Sequence, residues 1–239
     1  MPGIARSPSL LHRAAKRNDT FETGSNMTAV TVIGAGGYAG SHIADAAARR
    51  GLTVRGFSRG EVAAKAKGVT YERGSILDPE DRARMLRGGE VVVVAVSPRG
   101  DMAGRVRQAI AELAREADAA GVRLGVIGGA GSLLVSEGGP RVVDSGFPEE
   151  YRSEALELAE VLDDLRGSPD SLDWFFVSPA GGFGAFNPGE FRGEYRVGGD
   201  VLLTDANGVS DIGGADFGEA VVDEIEGRAH RRARFTVAY

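Results

Sequence analysis

The chain has 239 residues, 42% hydrophobic and 26% charged, which is the profile of a soluble globular protein long enough to bury a core. A formal net charge of −6 argues against nucleic acid as the main partner, and the longest apolar run, Val91–Val96, is too short to cross a bilayer. There is no cysteine, which removes disulfides, thiolate nucleophiles and cysteine-ligated zinc together and suits a cytoplasmic setting.

Residues 1–26 are polar, basic at first and without sustained periodicity. They read as a disordered leader, with a transit peptide as the rival reading. From Met27 onward, short apolar runs alternate with helical patterns. Ala29–Ile33 is predicted as a strand, Tyr38–Arg50 as an alanine-rich helix, and Thr53–Phe57 as a second strand. A short helix is predicted over Gly60–Lys67, then a strand over Val69–Gly74 and a helix over Pro79–Arg87 with proline in its first turn. Glu90–Val96 is an unbroken β-branched run, the mark of a strand buried on both faces. Helices are expected at Met102–Ala120, Pro148–Arg166 and Ala215–Glu226, and strands at Arg123–Gly128, Leu172–Pro179 and the C-terminus. The stretch GEYRVGGDVLLTD reads as a small C-terminal hairpin turning at Gly198–Gly199. This alternation predicts a single α/β domain over 27–239, a doubly wound parallel sheet of the Rossmann type in three α/β/α layers.

In such a sheet, ligands bind beyond the carboxyl ends of the strands, where the strand order reverses. There the sequence reads VIGAGGYAG, from Val32 to Gly40. Two glycine spacings fit: Gly34-x-Gly36-x-x-Ala39, and Gly34-x-x-Gly37-x-x-Gly40. Glycines at the start of a helix let a diphosphate approach main-chain amides at the positive end of the helix dipole. Gly34, Gly36, Gly37, Tyr38, Ala39 and Gly40 are therefore candidate cofactor contacts. At the end of the second strand, NAD enzymes keep an acid for the ribose hydroxyls. This chain places Ser58 and Arg59 there instead, a pair suited to a 2′-phosphate. The reading is NADP, with NAD as the alternative.

The other strand ends supply further candidates: Ser75 and Ile76 beside the adenine, then Ala95, Val96 and Ser97, then Gly128 and Gly129 beside the nicotinamide. The loop Gly128–Ser132 reads either as backbone set against ligand or as a mobile glycine loop. Phe183 and Phe186 read either as an aromatic wall for substrate or as core.

The stretches VIGAGGYAGSHI, VIGGAGSL, DWFFVSPA and GVSDIGGADFGEAVVDEIE resemble the atypical short-chain dehydrogenases. The similarity is to the NAD(P)H-binding group that includes NADH-flavin reductases, biliverdin reductase B-like proteins and NmrA-like regulators, and it runs over about Met27–Tyr239. It implies a nicotinamide dinucleotide at the glycine turn and often a reductase activity.

The Tyr-x-x-x-Lys pair of full short-chain dehydrogenases is missing. Tyr151 stands at about the right place, but the fourth residue after it is Ala155, and every lysine (Lys16, Lys65, Lys67) precedes residue 68. His12, His42 and His230 are scattered. The carboxylates of SEALELAE read as a solvated helix face, and the basic run Gly227–Arg234 as a polar connection or an anion site. No catalytic residue and no metal ligand is assigned. Hydride transfer to a flavin or quinone-like small acceptor survives this loss, because a flavin needs little acid catalysis from the protein. The alternatives are a non-catalytic dinucleotide sensor of the NmrA-like kind, or a reductase using Ser132 or Tyr151 as proton donor. The oligomeric state stays open.

Overall fold

The computed structural model describes residues 10–13, for which the backbone alone is considered, together with 28–63 and 66–239. In chain order the elements are β1 (Leu10–Arg13), β2 (Ala29–Ile33), α1 (Tyr38–Arg49), β3 (Thr53–Ser58), β4 (Val69–Arg73), α2 (Pro79–Leu86) and β5 (Val91–Val94). They continue with α3 (Val106–Ala120), β6 (Arg123–Ile127), α4 (Glu149–Arg166), β7 (Trp174–Ser178), β8 (Glu194–Gly198), α5 (Gly214–Gly227) and β9 (Ala233–Ala238).

The sheet runs in the order β1-β8-β9-β7-β6-β5-β2-β3-β4. From β9 to β4 the pairings are parallel; β8 runs antiparallel to both β9 and β1. The order reverses between β2 and β5, as in the Rossmann fold. All four residues of β5 are buried, as are all five of β6 and of β7, which is what helices on both faces demand. One core, built from Ile43, Ala47, Phe217 and Val221 against β2, lies under α1 and α5. The other, with Met85, Ile110, Leu113 and Leu162, lies under α2, α3 and α4.

Local sequence explains the helices. In α3 the buried residues are Val106, Ala109, Ile110, Leu113, Ala114 and Ala117, a stripe at helical spacing, and Gly121 ends the helix at φ 66°. Asp78 caps α2 by accepting from the amides of Glu80 (2.8 Å) and Asp81 (3.3 Å).

Three expectations change. The described part of Gly60–Lys67 forms no helix. Eight residues are too few to sustain one without an apolar face, and among the described ones only Val62 is buried. The expected hairpin is a strand and a bend. β8 finds its partners in β9 and β1, and after the bend at Gly199–Asp200 only Val201 bridges, to Leu134. Pairing β8 with the already buried β9 extends the sheet more than a free two-stranded ribbon would stabilise. The leader expectation lies mostly outside the described residues; within it, Leu10–Arg13 is an edge strand that the sequence pattern did not reveal.

The basic run after α5 is a structural connection. His230 Nδ1 lies 2.7 Å from Glu224, whose carboxylate also takes Arg123 at 2.6 Å, both acid and arginine being almost fully buried. Burial alone would raise the Glu224 carboxyl, but the hydrogen bonds from His230 and Arg123 hold it below its ordinary value. Arg232 donates to the carbonyls of Ser168 (2.8 Å) and Leu172 (3.2 Å), and Arg234 to Asp200 (2.8 Å).

Candidate functional site

A cavity of about 1320 Å³ opens at the carboxyl ends of β2, β3, β5, β6 and β7. Its floor is the turn from β2 into α1. Gly34 has φ +89°, and a β-carbon there would lie 2.3 Å from the Ala95 carbonyl oxygen. A β-carbon on Gly40 would lie 2.2 Å from the Gly34 carbonyl oxygen, so α1 sits directly on the turn. These two positions admit nothing larger than glycine, which selects the Gly34-x-x-Gly37-x-x-Gly40 spacing over the other. The amides of Gly34 (2.8 Å) and Ala35 (3.0 Å) donate to the Phe57 carbonyl, and that of Gly37 to Gly34 (2.9 Å). The amides of Gly36, Tyr38 and Ala39 make no hydrogen bond among the described residues. They are the free donors at the start of a helix, the arrangement that binds a diphosphate.

Of the predicted contacts, Gly34, Gly37, Tyr38, Ala39, Ser58, Arg59, Ile76, Ala95, Val96, Ser97, Gly128 and Gly129 line this one cavity. Three do not. Gly36 is exposed beside the Ser58 hydroxyl, and Gly40 is buried as packing. Ser75 is turned inward: its amide donates to Asp81 (2.7 Å) and its hydroxyl accepts from the Leu77 amide (3.3 Å). The loop that caps α2 uses both of its polar groups.

Arg59 is half-exposed and ion-paired with Asp101, on the single helical turn Gly100–Met102 that follows β5. On the other side of that segment, Arg99 pairs with Glu154 of α4, and its guanidinium lies 5.5 Å from the centre of the Tyr151 ring. Asp101, Arg99 and Glu154 all line the cavity, and none was singled out from the sequence. Glu154 belongs to the run expected to be a solvated face. In the fold, Glu157 of that run accepts from the amides of Gly104 (2.7 Å), Val106 (2.8 Å) and Arg107 (3.0 Å), and Glu160 takes Arg107 at 2.7 Å. Recurrence every third residue, at 154, 157 and 160, was the available signal: it puts three carboxylates in one slanted row facing the start of α3.

The β6 loop is closely packed. A β-carbon on Gly128 would lie 2.0 Å from the Phe176 ring, and one on Gly131 2.7 Å from the Ala155 methyl. Ser132 is buried and does not line the cavity, which takes it out of reach of a ligand there; its hydroxyl accepts from Arg234 at 3.1 Å. Tyr151 lines the cavity with its ring 44% exposed, and Ala155 stands where a lysine would be. Of the two phenylalanines, Phe183 packs on Phe217 (4.3 Å) and Tyr38 (5.2 Å), while Phe186 is 78% exposed on the cavity wall. His42 is a packing residue: its ring meets Tyr38 edge-on at 4.9 Å, and burial pushes its imidazole below the ordinary value.

A parallel sheet with this strand order, whose switch point carries a glycine turn with free amides, defines a dinucleotide-binding protein of the Rossmann class. The comparisons agree. An NAD(P)H-binding family model matches residues 34–225, and the chain belongs to that family. It is 35% identical over 212 residues to the Bacillus subtilis protein YwnB, covering 87% of this chain and 97% of that one. Among solved structures it is similar to a putative epimerase from Bacteroides thetaiotaomicron (30% identity, TM-score 0.79, covering 90% and 98% of the two chains). It is equally similar in sequence to a putative NADH-flavin reductase from Streptococcus pneumoniae (30% identity, TM-score 0.75, covering 88% and 99%).

Proposed function

We propose that the protein is an NADPH-dependent reductase that delivers hydride to a planar flavin or quinone-like acceptor. The observation that carries this reading is the contrast within one cavity. Its dinucleotide end has a glycine cradle with free amides, and its acceptor end has aromatic walls without a tyrosine–lysine pair.

Gly34 keeps the cradle open, Gly40 lets α1 sit directly on it, and the amides of Tyr38 and Ala39 hold the diphosphate. The Arg59 guanidinium and the Ser58 hydroxyl bind the 2′-phosphate. Ile76 covers the adenine, and Gly128 and Gly129 let the nicotinamide lie close to the main chain. The nicotinamide, when bound, supplies the hydride. Phe147, Tyr151 and Phe186 give the acceptor a flat apolar surface and fix its distance from the donor. Solvent protonates the reduced acceptor through the open mouth. Such a reaction needs a pool of reduced NADP, which fits a cytoplasmic setting.

The test is to mix purified protein with NADPH and, in turn, FMN, riboflavin and a quinone, and to follow absorbance at the nicotinamide band. Turnover above the free-solution rate with one of them supports the reading. Tight NADPH binding with no oxidation by any acceptor would replace it with the dinucleotide-sensor reading.

A further inference from the structure

The segment from Ser97 to Met102 lies across the cavity like a strap. Met102 anchors it, 1% exposed in the core under α3. Its two charged residues face opposite banks: Arg99 reaches Glu154 on α4, and Asp101 reaches Arg59 at the end of β3. The two loops that meet in the second pair are 42 residues apart in sequence.

The Arg59–Asp101 pair places both kinds of ribose-recognising group at one spot. Enzymes that take NAD hold an acid there to accept from the ribose hydroxyls, and those that take NADP hold a cation for the 2′-phosphate. Here the cation comes from β3 and the acid from the strap. Among the described residues only one guanidinium nitrogen of Arg59 is engaged, and its side chain is 48% exposed on the cavity wall, which leaves other N–H groups open to a ligand. A phosphate arriving at those groups meets a carboxylate already bound to the same guanidinium. Like charges a few ångströms apart repel, so the acid must withdraw as the phosphate binds. NADH brings no such charge, and its ribose hydroxyls can donate to the carboxylate where it stands.

We infer that Asp101 is a specificity-determining residue of the dinucleotide site, opposing the 2′-phosphate that Arg59 attracts and so keeping NADH competitive with NADPH. The inference rests on the reading of Arg59 as the phosphate contact. The Asp101 carboxyl is held below its ordinary value chiefly by the Arg59 hydrogen bond, so at neutral pH the opposing charge is fully present.

The experiment is a titration of NADPH and NADH, at fixed low ionic strength, into wild type, Asp101→Asn, Arg59→Gln and the double variant. Asparagine is nearly isosteric, and Asp101 is exposed, so the variant keeps the fold. Asp101→Asn is expected to raise the NADPH-to-NADH affinity ratio by about five- to tenfold. In the Arg59→Gln background the same substitution should change the ratio by less than about twofold, because nothing then holds the carboxylate beside the phosphate. An unchanged or lowered ratio in the single variant, or an equal rise in the double variant, overturns the inference while leaving the cofactor reading intact. Wild type that binds neither dinucleotide removes the cofactor reading and this inference with it.

Discussion

On the β2–β3 side of the cavity the floor is a glycine turn; on the β6–β7 side aromatic and charged side chains from loops and from α4 stand around the mouth. At the first bank, Gly34 and Gly37 strip the surface to amides and carbonyls, and neither Gly34 nor Gly40 packed behind it has room for a β-carbon. At the second bank, Phe147, Tyr151, Glu154 and Phe186 project from loops and from the start of α4. A diphosphate has the same shape in every nicotinamide dinucleotide, so a fixed main-chain cradle suits it. An acceptor differs from one reductase to the next, and side chains on loops can vary without disturbing the sheet. The two banks should therefore fail differently when altered.

The largest effect is expected beneath the second bank. Glu224→Leu would strip the buried Arg123 at the start of β6 of its close carboxylate and leave only Asp173 at 3.4 Å, at a cost of about 3–5 kcal/mol, read from denaturant unfolding. The same pair sets a pH dependence. Glu224 is held below its ordinary value of 4.5, so its contribution to stability is complete above that pH and is lost as pH falls through the lower folded value. A melting temperature that rises on acidification below pH 4.5 would contradict this.

Next comes the cradle itself. Gly34→Ala puts a β-carbon against the Ala95 carbonyl at a positive φ, so we expect a loss of about 2–4 kcal/mol in stability. Dinucleotide binding should fall with it, whereas acceptor-side variants should leave binding alone. Arg59→Ala should weaken NADPH by about 10- to 100-fold, the range of a charge-assisted contact, and leave NADH nearly unaffected. Equal weakening of both would show that Arg59 serves the shape of the loop and not the phosphate.

Smaller effects belong to the second bank. Phe186→Ala removes a ring that touches mostly solvent, so stability should stay within about 0.5 kcal/mol while the acceptor KM rises about fivefold. A matching rise in the NADPH dissociation constant would blur the division between the banks. Tyr151→Phe keeps the flat surface and deletes only the hydroxyl, and turnover should change less than about threefold. A fall of a hundredfold would instead make Tyr151 the proton donor.

Much of the first bank was legible because its signals are local. Glycines between a β-branched strand and an alanine-rich helix have one main use, and twelve of the fifteen candidate contacts line a single cavity. Gly40 fell off that wall because it packs on the Gly34 carbonyl, and Gly36 because it turns outward beside the Ser58 hydroxyl; two overlapping glycine spacings hid the difference. Ser75 fell off because its neighbour Asp81 takes its amide. The second bank and the segment that ties it to β3 were harder to read. Glu154 and Arg99 meet across 55 residues, Arg59 and Asp101 across 42, and no periodic pattern encodes a pairing between two loops. Likewise, β8 has apolar residues at alternate positions like a hairpin arm, but its partners are β9 and β1.

Hydrophobic period, helix stops and the glycine turn determined the parallel strands, most of the helices, the layer order and the place of the glycine cradle. Each of these is set by residues within about one element of one another, where sterics and spacing act directly. Tertiary structure decided the rest: which glycines face the cavity, that Ser132 turns to Arg234 and not to a ligand, and that an acid from the strap stands on Arg59. Those outcomes depend on charges and surfaces brought together from distant parts of the chain, and the energy of such a contact exists only once the sheet has formed.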